Sequence, residues 1–294
     1  MYLKEKIKDL LPAPVFRLAK KIWVYFFMNP NSLIMKIWLV NFRQPEFVPI
    51  CFNGYSFDIL IDPKNGRVDN FIFINRVWDE MISDVLLDNL YPGGTFIDVG
   101  ANIGYFSLLA SRLVGGNGTV QAFEPVKQLS TQFSTSIRKN NFDNIYLHRY
   151  ACGSETREMD IMVNKQNVGG SSLIEAKNPL GSIHERIQIR KMDDMLKNIQ
   201  HIDMIKIDVE GYEFEVLKGA ENLIKKHKPK IIFEFNPVIY EASLTGSSLQ
   251  LLKFLTEHHY VIQTLRGELL FEKDFPKLIE RLKRSNRQID LFCK

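Results

Sequence analysis

From residue 95 to the end of the chain, apolar runs of strand length alternate with segments of helical periodicity. That alternation limits the fold more than any other feature. Strands are expected over 95–99, 119–123, 145–150, 202–207 and 230–235, with helices over 103–113, 126–140, 213–227 and 247–258. Further strands are expected over 159–163, 186–190, 260–264 and 289–293. Alternation at this spacing predicts an α/β fold with a mostly parallel sheet covered by helices on both faces. Ahead of it, apolar runs over 48–52 and 55–61 flank Asn53 and Gly54. That dipeptide favours a two-residue hairpin turn because both positions tolerate positive φ. Turn residues over 62–66, a helix over 79–90 and a stop at Pro92, Gly93 and Gly94 complete the approach.

The organisation read from this pattern is an extension over 1–48, a hairpin and helix over 49–92, and the main domain over 93–294. Residues 1–48 hold eight Lys/Arg against three acids, a local charge of +5 in a chain of +4 overall. Their apolar runs over 22–28 and 33–40 fall short of the roughly 20 residues that span a bilayer, and no signal-type cleavage site follows the first. Two readings stay open for this segment. It packs on the main domain or a partner, or it docks on an anionic membrane surface through its basic residues with Trp23, Tyr25, Phe26, Phe27 and Trp38. The three cysteines, Cys51, Cys152 and Cys293, are widely spaced and form no CxxC. They read as free thiols of a cytoplasmic protein, at the membrane surface if the extension docks there. The modest net charge gives no reason to expect a nucleic-acid partner.

The chemistry concentrates where such a sheet binds ligands, beyond the carboxyl ends of its strands. The first strand ends at Asp98, and Gly100, Asn102 and Gly104 follow before the next helix. Glycines let a ligand approach the backbone, and the helix start offers free N–H groups. The second strand ends in Phe123, Glu124 and Pro125, where a carboxylate can accept two hydrogen bonds from a ribose diol. Together they read as nucleoside binding; a tight turn beside an N-capping acid is the alternative. A nicotinamide fingerprint needs glycines where this chain has Asn102 and Tyr105. An acidic lining also suits a sulfonium and an ammonium better than a pyrophosphate.

The segments Phe96-Ile-Asp-Val-Gly-Ala-Asn-Ile-Gly-Tyr-Phe-Ser107, Ala122-Phe-Glu-Pro125, Gly169-Gly-Ser-Ser-Leu173, Met192-Asp-Asp-Met195, Ile205-Lys-Ile-Asp-Val-Glu-Gly211 and Val216-Leu-Lys-Gly-Ala220 resemble the FkbM-type methyltransferases. The resemblance runs from about residue 50 to 240. It implies a class I, Rossmann-like methyltransferase fold with an antiparallel strand near the C-terminus. It implies S-adenosylmethionine as donor and O-methylation of a sugar or natural-product hydroxyl, hence a small-molecule or glycan acceptor. It assigns donor contacts to Asp98, Gly100, Ala101, Asn102, Gly104, Tyr105, Glu124, Pro125 and Cys152. Cys152 departs from the pattern, which has a larger apolar residue there. Trp78-Asp-Glu80 also fits, with Glu80 toward the donor's amino-acid end; a helix-start acid is the alternative.

The residues themselves divide the reaction edge. Lys206, Asp208 and Glu210 share one face if the strand continues through them. Asp208 reads as positioning donor or acceptor, and Glu210 as acceptor contact or general base. A charge cluster at the next helix start is the alternative for both. Glu234 and Asn236 point to one side. With Asp208 they make either an acceptor-binding rim or an all-oxygen divalent-metal site, and the rim is preferred, so no metal is assigned. Ser171 and Ser172, beside Gly169 and Gly170, can bind the acceptor, or the segment is a plain loop. His184, expected in the same loop, is either a base near neutral pH or simply exposed. A nucleotide-linked oxidoreductase and a non-catalytic docking module remain as the other function classes.

Overall fold

The computed structural model describes residues 44–164, 168–171, 183–242 and 247–294. Most of the extension, to residue 43, and Ser172 lie outside the described residues.

The chain opens with the hairpin β1 (Glu46–Phe52) and β2 (Tyr55–Ile61). Phe52 pairs with Tyr55, and the intervening Asn53 and Gly54 have φ of 46° and 89°, as the dipeptide requires. Helices α1 (Arg67–Asn75) and α2 (Glu80–Asn89) follow. The alternating part then runs β3 (Thr95–Val99), α3 (Tyr105–Val114), β4 (Thr119–Phe123), α4 (Lys127–Lys139) and β5 (Ile145–His148). Strands β6 (Ala151–Cys152), β7 (Arg157–Val163) and β8 (Ile183–Arg190) and helix α5 (Met192–Met195) come next. After them come β9 (Met204–Ile207), α6 (Glu213–Lys218), α7 (Glu221–His227), β10 (Lys230–Phe235), α8 (Pro237–Ala242) and α9 (Ser248–Glu257). The chain closes with β11 (Ile262–Thr264), β12 (Leu269–Leu270), α10 (Phe275–Ser285) and β13 (Ile289–Cys293).

The main sheet is ordered β12-β11-β13-β10-β9-β3-β4-β5. Strands β5, β4, β3, β9 and β10 pair in parallel, while β13 is antiparallel to both β10 and β11. This is the mostly parallel sheet the alternation predicts, and β13 is the antiparallel strand near the C-terminus. Strand order reverses between β3 and β9, which places the ligand crevice at their carboxyl ends. Strand periodicity divides the core into two layers. Phe96, Val120, Ala122, Met204, Ile232 and Phe292 pack toward α3, α4 and the hairpin. Ile97, Phe123, Ile205, Ile207, Phe233 and Leu291 pack toward α6, α7, α9 and α10. The hairpin is tied to α4 as well: the Leu60 N–H donates to Ser136 Oγ at 2.9 Å and the Asp58 N–H to Asn140 Oδ1 at 2.8 Å.

Several elements differ from the sequence reading. The expected strand over 145–150 stops at His148 as β5 of the main sheet, and from Ala151 the chain enters a separate three-stranded sheet, β6-β8-β7, that the sequence reading lacked. The helix expected over 213–227 is two. It breaks at Gly219, where a Cβ would lie 1.9 Å from the Gly153 carbonyl oxygen, so the approaching chain interrupts the helix. Helices α1, α5, α8 and α10 had no counterpart in the sequence reading. In α1, Asp69 is buried and accepts from the Asp62 N–H at 2.7 Å and from Gln132 Nε2 at 2.6 Å. A contact across 63 residues leaves no local signal. Strand β8 begins at Ile183 rather than 186, so His184 is a strand residue, paired with Met162. No described helix is long and apolar enough to cross a membrane.

Candidate active site

The turn after β3 is dictated by space. Gly100 has φ 78° and Gly104 φ 89°. A Cβ on Gly100 would lie 1.9 Å from the Asp208 carbonyl oxygen, and one on Gly104 would lie 2.1 Å from the Phe133 ring. Both the backbone conformation and the packing therefore demand glycine. Asn102 between them is also left-handed, at φ 54°. Asparagine tolerates this through local bonding, and its Oδ1 accepts from the Ile103 N–H at 2.8 Å. The Gly100 and Ala101 N–H groups both donate to the Phe123 carbonyl at 3.0 Å, pinning the turn to the end of β4.

Glu124, the next residue after β4, is buried. Its Oε2 accepts from the Asn102 N–H at 2.8 Å and its Oε1 from the Val126 N–H at 2.9 Å. Burial pushes its pKa up to about 7 against the pull of these two bonds. Each carboxylate oxygen has two lone pairs, so one acceptor position per oxygen remains beyond these bonds.

The same strand face carries a buried charge group. Asp98, Lys206, Glu234 and Asp290 lie in phase with Phe96, Met204, Ile232 and Phe292 on the α3 side. Lys206 is 2% exposed and Asp98 0%. Lys206 Nζ lies 3.5 Å from Asp98 Oδ1, 3.4 Å from Asp208 Oδ2 and 5.2 Å from the Phe106 ring centroid. The Ser107 hydroxyl donates to Asp98 Oδ2 at 2.6 Å. Burial acts to lower the Lys206 pKa, but the Asp208 and Asp98 carboxylates outweigh it and hold the ammonium above its ordinary range. Burial pushes Asp98 up, and pushes Asp290 up to about 7 with help from Asp208.

Beyond β9 the chain turns sharply. Glu210 has φ 56° and Gly211 φ 104°. Buried Glu213, the first residue of α6, accepts from the N–H groups of Val209 and Gly211, each at 3.1 Å, through one oxygen. Its other oxygen accepts from the Tyr240 hydroxyl. Across the crevice, Gln288 donates to Glu234 Oε1 and accepts from Asn236 Nδ2 at 3.0 Å. These walls enclose a cavity of about 250 Å³.

Residues 98–268 match the family model described as the methyltransferase FkbM domain. The chain belongs to the FkbM methyltransferase family. S-adenosylmethionine is the methyl donor that the sequence resemblance implies. Among curated relatives it is 26% identical to Methyltransferase 1 of Beauveria bassiana over 164 residues, covering 47% of this chain and 66% of that protein. It is 25% identical to Methyltransferase sdnD of Sordaria araneosa over 177 residues, covering 49% and 68%. The chain thus spans about two thirds of the length of these relatives. It is also similar to the crystal structure of methyltransferase FkbM from Methylobacillus flagellatus KT. That likeness has a TM-score of 0.42 and 18% identity, over 77% of this chain and 52% of that one.

The FkbM cavity gathers most of the residues singled out in the sequence. Gly100, Ala101, Asn102, Tyr105, Glu124, Pro125 and Cys152 line it. Ser171, Asp208, Glu210 and Glu234 line it as well. Asp98 and Gly104 lie beneath, the first holding Lys206 and Ser107, the second facing Phe133. Cys152 is buried, and burial pushes its thiol pKa up. Three residues fall elsewhere. Glu80 is exposed in the first turn of α2, where the helix-start alternative puts it. His184 is exposed on β8 and does not line the cavity. Asn236 also lies outside the lining, its amide engaged with Gln288. Among the described residues no three His, Cys, Asp or Glu side chains converge as a metal-holding group. Sequence reasoning missed Glu213, which holds the loop, and Tyr150, Tyr212 and Gln288, which line the cavity. Only Glu213 left a signal, an acid two residues beyond Gly211 at a helix start.

The acidic walls fit the donor's cationic sulfonium and ammonium, and the two remaining acceptor positions of Glu124 fit a ribose diol. Glu124→Ala is therefore expected to weaken S-adenosylhomocysteine binding by about 30-fold, the loss of charged hydrogen bonds of roughly 2 kcal/mol. Unchanged calorimetric affinity would remove Glu124 from the donor site. Because hydroxyls donate to the ionised carboxylate, donor affinity should also rise with pH until Glu124, at about 7, is fully ionised. The limit is about tenfold per unit below pH 7. Asp98 opposes that ionisation and Lys206 favours it. Titrations between pH 5.5 and 8 check the slope, and a flat profile would contradict it.

Proposed function

We propose that this FkbM methyltransferase transfers the methyl group to oxygen, and that the acceptor is a sugar hydroxyl of a glycan, glycolipid or secondary metabolite. One observation supports the reading. The cavity wall beyond the glycine turn is rich in hydrogen-bond acceptors, with Asp208, Glu210, Glu234 and Gln288 along it. A polyhydroxylated ring brings the several O–H donors that such a wall requires, whereas a phosphate would meet like charge.

The donor supplies a methyl group on a positive sulfur, which is displaced in line by the acceptor oxygen. Glu124 holds the ribose hydroxyls. Asp208, fixed by Lys206 at 3.4 Å, orients the methionine end. Positioning of the two reactants provides much of the rate. A sugar hydroxyl is a weak nucleophile, and Glu210 takes its proton as the new C–O bond forms. Glu234 and Gln288 hold neighbouring hydroxyls, and Ser171 borders the same space.

The test is transfer of label from S-adenosylmethionine, tritiated in its methyl group, to a panel of glycosides, with amine acceptors alongside. Label in sugar methyl ethers supports the proposal, and label in amines alone rejects it. Calorimetry with S-adenosylhomocysteine, and with NADH as control, separates a failed acceptor guess from a failed donor site. Glu210→Ala is expected to lower turnover by about 100-fold while donor affinity stays within threefold. The opposite pattern, lost donor affinity with normal single turnover, would make Glu210 a donor contact.

A further inference from the structure

We infer that Glu213 is a positioning residue: from beneath the 208–212 loop it clamps the two peptide N–H groups that bracket Glu210, and so fixes where that side chain is presented. The inference rests on the reading of Glu210 as the group that takes the acceptor proton.

The geometry is specific. A single oxygen of Glu213 receives the N–H groups of Val209 and Gly211, each at 3.1 Å. Two amides separated by one residue converge on one acceptor only if the chain between them is turned. Glu210 and Gly211 are turned, with consecutive left-handed φ of 56° and 104°. A glutamate has no intrinsic reason to adopt that conformation, so an external acceptor must hold it. Such held strain clusters at functional loops. Glu210, Asp208 and Val209 all line the cavity, whereas Glu213 does not and is 1% exposed. Its second oxygen is bonded by the Tyr240 hydroxyl, which also lies 3.4 Å from the Glu234 carbonyl oxygen. The clamp therefore joins the loop after β9 to α8, with the Glu234 carbonyl at the end of β10 as the alternative acceptor for the Tyr240 hydrogen.

The clamp works through acceptor geometry, not charge. A glutamine at 213 keeps one oxygen for the two amides. Its Nε2–H then donates to the Tyr240 oxygen, and the Tyr240 hydrogen turns to the Glu234 carbonyl. An alanine offers neither contact. Burial already pushes Glu213 up to about 7, and the same swap of hydroxyl direction serves its protonated form.

Hydrogen exchange read by mass spectrometry on the full chain tests this at the 204–214 peptides. Glu213→Ala is expected to speed exchange of the Val209 and Gly211 amides at least tenfold, confined to that loop. Glu213→Gln is expected to stay within threefold of the parent. Equal acceleration in both variants overturns the inference, because charge would then be the cause. Acceleration throughout the domain overturns it too, because Glu213 would then be a general core residue. Turnover of Glu210→Ala, Glu213→Ala and the double variant closes a cycle. A double variant no slower than Glu210→Ala supports action through Glu210. Full additivity overturns that action while leaving the Glu210 reading intact. A Glu210→Ala enzyme with parental turnover overturns both readings, and is recognised from that single variant alone.

Discussion

Gly100→Ala is expected to lower the melting temperature on the order of 10 °C and to abolish donor binding. The added methyl would lie 1.9 Å from the Asp208 carbonyl oxygen and 2.9 Å from its carbonyl carbon. Those atoms are backbone at the end of the neighbouring strand, so no rotamer change relieves the clash. The residue would also have to keep φ 78°, which favours glycine. Relief requires β3 and β9 to part where the Asp208 N–H donates to the Val99 carbonyl at 3.0 Å. Overpacking with backbone strain places the cost at roughly 4 kcal/mol, among the largest single-residue effects. In a domain of this size that converts to about 2–4 °C per kcal/mol. Differential scanning fluorimetry with and without S-adenosylhomocysteine reads both effects. A stable variant that still binds would show that the loop after β9 moves freely from the turn, contrary to the packing described.

Lys206→Met is the second large effect. The ammonium is 2% exposed and lies between Asp98, which is fully buried, and Asp208. Removing it leaves Asp98 with the Ser107 hydroxyl and no cation. Breaking a buried pair by deleting one partner costs about 3–5 kcal/mol, because the other charge stays desolvated. The deficit should depend on pH with a definite sign. Burial already raises the folded-state pKa of Asp98, and losing Lys206 raises it further. A carboxyl raised on folding contributes stability at low pH, and that contribution is lost as pH climbs through its folded value. The melting deficit of Lys206→Met should therefore be larger at pH 8 than at pH 5. Adding Asp98→Asn should recover much of it at pH 8. An equal deficit at both pH values would assign the loss to packing against Phe106 rather than to charge.

Much of the fold was legible because its causes are local. Strands β3, β4, β10 and β13 coincide with their expected ranges to the residue, since a buried strand announces itself as a short, mostly apolar run even with one charged or polar residue in it. The Asn53-Gly54 turn and the glycine turn after β3 declare themselves through residues that tolerate positive φ. The donor side of the site follows from that turn and from Glu124, because strand ends and helix starts are marked in sequence. The family resemblance added the donor's identity, which neither periodicity nor spacing contains.

What stayed hidden depends on partners far along the chain. Helix α1 is anchored by Asp69 to Gln132, and the break between α6 and α7 comes from Gly153 pressing on Gly219. His184 read as a loop residue because strand length is set by pairing with β7, not by its own neighbours. Glu80 and Asn236 had suitable chemistry at suitable spacing, yet helix start and amide pairing took them out of the cavity. The sequence by itself determined the alternating sheet, the glycine turn and the acid that faces it, because each rests on local conformational preference and side-chain periodicity. Only the tertiary structure decided that Lys206 is balanced between two carboxylates and that Glu213 holds the loop bearing Glu210. Buried charges and backbone clamps are contacts between distant segments, and their energies exist only once the sheet has brought those segments together.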